Sequence, residues 1–127
     1  AAALQRLIRD AQLQCQDADF DAFLRRFGHE IAVQERSVAD PLLSQYDDPD
    51  AQPEPRRVTE RIALHDVKWP VMPDPAALGG KREMQISEEA DGSVRVLIRT
   101  PDTDDQQAYY FQRRPCWTLV KMYDQSL

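Results

Sequence analysis

Leu4, Leu7, Ile8, Ala11 and Cys15 recur at spacings of three and four, which puts them on one stripe of a helix. Phe20, Phe23, Leu24, Phe27 and Ile31 repeat that spacing and predict a second amphipathic helix. Asp17 and Asp19 sit between the two stripes as candidate N-caps for the second. The Ile31-Ala32-Val33 run carries the apolar pattern past Gly28 towards Glu35. Each helix therefore has one face to bury.

The pattern then breaks. Seven prolines lie between Pro41 and Pro75, and Pro49, Pro53 and Pro55 forbid a regular helix or a central strand there. Residues 44–57 read as a long, acidic, proline-rich loop, of a length usually reserved for functional or mobile segments. Val58 to Val67 fits a short helix or a strand, and Trp69-Pro70-Val71-Met72-Pro73 fits an extended segment.

From Lys81 the period becomes two. Met84 and Ile86 alternate with polar neighbours, Asp91-Gly92 signals a hairpin, and Val94, Val96 and Ile98 share one face. Tyr109-Tyr110-Phe111 opens a third strand, and Trp117 to Tyr123 forms a fourth after a turn at Arg113-Arg114-Pro115. On a strict alternation, Trp117, Leu119 and Tyr123 oppose Cys116, Val120 and Met122. Both faces thus carry apolar bulk. One is core against the Phe20, Phe23 and Phe27 stripe; the other is either covered by the Trp69 segment or open to a partner. Helices first and a meander last predict an α+β single domain over residues 1–127, its N-terminal amphipathic helices covering one face of a curved C-terminal antiparallel sheet.

Composition narrows the partners. The 127 residues carry 16 Lys+Arg against 22 Asp+Glu, a net charge of −6, which argues against nucleic acid. No apolar run is long enough to span a membrane. Residues 40–60 hold six acids (Asp40, Asp47, Asp48, Asp50, Glu54, Glu60) against Arg56 and Arg57, so most of the excess lies in one segment. Asp47, Asp48, Asp50 and Glu54 are accordingly the candidate partner-binding residues. Arg95, Arg99, Arg113 and Arg114 form either a basic patch opposite that loop or rim pairs with Glu83, Glu88 and Asp102.

Catalytic signals are sparse. His65-Asp66 and His29-Glu30 are adjacent in the chain, and adjacent side chains do not face each other. An acid–base pocket would need His65 or His29 to converge with Asp40 or Tyr46 in space. There is no nucleophile elbow and no phosphate loop. Asp47-Asp48-Pro49-Asp50 lacks the Gly and terminal Glu of a calcium loop, so no metal and no cofactor is expected. Cys15 and Cys116 form no metal motif; they are either two buried thiols or one bridge closing a very long loop, which would require an oxidising compartment. Ala1-Ala2-Ala3 reads either as the small residues left by signal-peptide removal or as a trimmed end.

Three stretches resemble exported, uncharacterised bacterial NTF2-like proteins. They are Phe20-x-x-Phe-Leu-x-x-Phe27; Val33-Gln34-Glu35-Arg36 leading to Asp40-Pro41-Leu42; and Tyr110-Phe111 through Cys116-Trp117 to Ser126-Leu127. The Trp69-Pro70 pair also fits. Ser37-Val38-Ala39 and Pro115-Cys116 depart from that pattern. The resemblance implies a cone-shaped NTF2-like fold, which hosts enzymes, ligand binders and interaction modules alike. The resulting expectation is a non-catalytic, periplasmic or secreted binding module for a protein partner or small ligand, in one version an immunity-type inhibitor of a basic toxin. The alternative is an isomerase- or dehydratase-type enzyme using His65, Asp40 and Tyr46, and a cytoplasmic location is the alternative if the cysteines are unpaired.

Overall fold

A computed structural model describes residues 15, 17 and 19–126. The stripe from Leu4 to Ala11 lies outside them. Helix α1 spans Phe20–His29, and Asp19 caps it by accepting from Ala22 N at 3.2 Å. Asp17 pairs instead with Arg26. The helix does not run on as expected: Glu30 leaves helical geometry (φ −114°, ψ 114°), and a short α2 restarts over Ile31–Arg36. Gly28 is where the chain needs a missing Cβ, because one built there would collide with Cδ of Pro75. That close approach seats the single turn Pro75–Ala77 against α1.

Six strands follow: β1 Val38–Asp48, β2 Arg56–Ile62, β3 Glu83–Glu88, β4 Val94–Arg99, β5 Gln106–Arg113 and β6 Trp117–Asp124. Their order is β2-β1-β6-β5-β4-β3. The sheet is mixed rather than purely antiparallel, because β1 runs parallel to β6. The expected loop over 44–57 is corrected in the same way. Ser44–Asp48 belongs to β1, Arg56 and Arg57 belong to β2, and only the turn between Asp48 and Arg56 remains irregular. The strands accommodate the prolines because Pro49, Pro53 and Pro55 all fall in that turn, and Pro41 lies in the β1 segment where the pairing to β6 shifts register. Val58–Ile62 is strand, and the segment then closes with a turn at Leu64–Asp66.

Strand β6 also departs from strict alternation. Phe111 pairs with Leu119 but Tyr110 pairs with Lys121, so Val120 is an extra residue in a bulge. The bulge turns Trp117, Leu119 and Met122 to the concave side and Tyr123 to the convex side. The concave core contains Phe23, Leu24, Phe27, Leu42, Met72, Val96, Ile98, Phe111 and Leu119. Trp69 packs on this side, so it does not cover the convex face.

Gln34 ties the core's two irregular pieces together. It is fully buried; its Nε2 donates to Phe27 O (2.9 Å) and Met72 O (3.4 Å), and its Oε1 accepts from Val71 N (2.9 Å). Gln34→Leu keeps the bulk but strands three backbone groups, so it is expected to cost about 2–4 kcal/mol. Denaturant midpoints check this; a loss below about 1 kcal/mol would mean that water or rearrangement satisfies those groups.

Candidate functional site

The concave interior is occupied by aromatic rings. Phe111 stands edge-on to Phe20, Phe23 and Phe27, with ring centroids 5.4, 5.8 and 5.3 Å apart, and Trp117 meets Phe20 at 4.9 Å. Such T-shaped contacts add to burial because ring edges meet the negative faces of their neighbours. Among the described residues, a recess of about 320 Å³ is lined by Leu42, Ile62, Val67, Pro70, Val71 and Met122, with Asp66 and Lys68 joining them. Sequence reasoning missed it, since the Pro70-Val71 segment has no periodicity to place it.

The candidate acid–base residues are spread over α1, β1 and the turn after β2, with Asp40 bonded to the turn that carries His65. Asp40 Oδ1 accepts from Leu64 N at 3.1 Å and so pins the turn after β2. Tyr46 donates to Glu60 Oε1 at 3.4 Å, six residues further along β1, which is about 20 Å of extended chain. His65 is exposed, with Nε2 3.4 Å from its neighbour Asp66. His29 is exposed and bonds Asp74 at 3.1 Å. The bonds from Ala76 N and then from His29 hold the Asp74 carboxyl below its ordinary range.

The acidic segment is a hairpin, and its charges are not equivalent. Asp47 accepts from Tyr123 Oη through both carboxylate oxygens at 2.9 Å, while the Arg57 guanidinium lies 4.1 Å above the Tyr123 ring. Burial and the Asp47 bond push the Tyr123 phenol up. Asp47 is therefore a convex-face anchor for β6. Asp48 Oδ1 accepts from Asp50 N at 3.0 Å, an Asx turn that shapes the hairpin end. Asp50 and Glu54 are exposed at that end. Arg56 and Arg57 face Asp48 and Asp47 across the ladder, so the strands are locally balanced and the excess acid lies at the tip.

On the convex face, Leu97, Ala108 and Tyr123 are buried with Tyr110 against them, and Lys121 Nζ sits 4.2 Å over the Tyr110 ring. Among the expected arginines, Arg99 pairs with Glu83 at 2.7 Å, Arg113 lies 5.0 Å over Trp117, and Arg114 donates to Gln112 at 2.8 Å. Among the described residues no group of three His, Cys, Asp or Glu is gathered for a metal, and no helix is long and apolar enough to cross a membrane. Cys15 and Cys116 are bridged, with Cα atoms 5.4 Å apart.

Helices laid over an open, curved, mixed six-stranded sheet define an α+β protein of the NTF2-like fold. The chain is similar to an NTF2-like protein from Bacteroides fragilis whose crystal structure it matches with a TM-score of 0.65 at 20% identity, over 90% of this chain and 50% of that one. It thus spans half the length of that relative. No family model and no curated protein matches the sequence.

Proposed function

We propose that the chain is a non-catalytic binding module of the bacterial envelope that meets a basic protein partner through the end of the β1–β2 hairpin, in the manner of an immunity-type inhibitor. The observation that carries this reading is the ring-packed concave side: Phe20, Phe23, Phe27 and Phe111 meet one another there, while Asp40, Tyr46, His29 and His65 are exposed. The hairpin end carries Asp50 and Glu54 exposed in the turn, with the half-buried Asp48 at the end of β1 beside them, and exposed charge there acts on encounter rather than on stability. The Cys15–Cys116 bridge supports an oxidising, exported location.

The test uses the disulfide-intact chain to capture a partner from the native envelope, then measures association with the purified partner. At low salt, Asp48→Asn, Asp50→Asn and Glu54→Gln together should slow association about tenfold or more, the range of electrostatic steering. His65→Ala and Tyr46→Phe should leave it unchanged. An unaltered rate in the triple variant would remove the hairpin from the contact.

A further inference from the structure

Strand register lines up five side chains across the convex face. Arg61 of β2 pairs with Leu43 of β1, Leu43 with Lys121 of β6, Lys121 with Tyr110 of β5, and Tyr110 with Arg95 of β4. Direct cross-strand partners project to the same side of a sheet, and Tyr110 fixes that side as convex. The row therefore alternates cation, aliphatic, cation, aromatic, cation. The backbones that carry successive cations are two strand spacings apart, about 9.5 Å, and the Lys121 ammonium leans over the Tyr110 ring.

In a chain with excess acid, none of these three cations forms an ion pair among the described residues. A groove of about 430 Å³ runs along the Arg61–Tyr110 part of the row, lined by Leu43, Arg61, Tyr110 and Lys121 and joined by Arg114; Arg95 lies beyond its lining. The acid in its wall, Asp91, accepts from Ser93 N at 3.0 Å and Ser93 Oγ at 2.6 Å, and the Lys121 charge adds to these bonds in holding its carboxyl below the ordinary range without forming an ion pair with it.

We propose that this row docks an extended acidic peptide segment of a partner protein, with carboxylates three residues apart. A polyproline II helix repeats every three residues and rises about 3.1 Å per residue, so every third side chain returns to the same side after about 9.3 Å. That repeat matches the spacing of the strands that carry the cations, and the intervening residues fall over Leu43 and beside the stacked Lys121–Tyr110 pair. Such a helix keeps its own backbone solvated, which suits this surface, because the β1, β6, β5 and β4 backbones are already paired in the ladder. A ligand adding as a β-strand would need an open edge, and the row crosses the middle of the sheet. The hairpin end is a separate surface, so either proposal can fail without the other.

The experiment compares two labelled peptides by fluorescence anisotropy at low salt: one of three Glu-Pro-Pro repeats, and an isomer of the same composition with its glutamates adjacent. The repeat peptide should bind more tightly. Arg61→Gln, Lys121→Gln and Arg95→Gln should each weaken it about two- to fivefold, the range for exposed ion pairs, with thermal midpoints confirming that the variants are folded. The Asp48→Asn, Asp50→Asn, Glu54→Gln variant should still bind it. Equal binding of the two isomers, or insensitivity to Lys121→Gln, would overturn the proposal. So would a single-stranded DNA oligonucleotide bound as tightly through the same residues, or a dimer in sedimentation that Lys121→Glu dissolves, which would assign the face to a second copy.

Discussion

Removing the Cys15–Cys116 bridge is expected to lower the unfolding free energy by about 4–5 kcal/mol in the chain-entropy account. The bridge closes a loop across a sequence separation of 101, so the chain it restrains in the unfolded state is nearly the whole described structure. It joins the approach to α1 to the turn before β6, where Arg114 N donates to Cys116 O at 2.8 Å. Its native contribution is therefore to hold the Phe20 end of the helix over the Trp117 end of the sheet. The Cys15→Ser, Cys116→Ser double variant isolates the effect from stray thiol chemistry. Its denaturant midpoint should fall well below that of the oxidised chain, and reduction of the native chain should match it. Coincident midpoints would show that helix and sheet need no cross-link, and would weaken the argument for an oxidising compartment.

Phe111→Ala is expected to cost about 3–5 kcal/mol, the range for emptying a buried aromatic site. Phe111 has no exposed surface and contacts three other rings, all on α1, which is packed closely on Pro75 at Gly28. The void would thus persist rather than collapse, and the spread of such costs follows how far a site can close. Equilibrium unfolding in denaturant measures the loss. Phe111→Leu, which retains much of the volume, should cost clearly less. Equal costs for both would mean that the rings are not in mutual contact.

The concave core was legible because its signals are local. Phe20, Phe23 and Phe27 announce a helix face, and Val94, Val96 and Ile98 announce a strand face, by spacing alone. Asp19 as a cap and Asp91-Gly92 as a turn were legible for the same reason: each is a short-range interaction. The β1–β2 hairpin was not. Its polar positions face Arg56 and Arg57 across the ladder, and that compensation appears only once the strands are paired. The bulge at Val120 is invisible to alternation, yet it decides that Met122 joins the core and Tyr123 reaches Asp47. The basic row is a property of register between five strands, so no window of sequence contains it. The proposed acidic contact was half legible. The concentration of charge could be counted, but the separation of Asp47 as an anchor from Asp48, Asp50 and Glu54 at the tip depends on Tyr123 being folded against it.

The central claim is that recognition occurs at the hairpin's acidic end and not inside the cone. Its most direct test is the salt dependence of association with the captured partner. The native chain should slow steeply as salt rises, while the variant carrying Asp48→Asn, Asp50→Asn and Glu54→Gln should start slower and change little. Equal slopes for the two proteins would contradict the account and move the contact elsewhere.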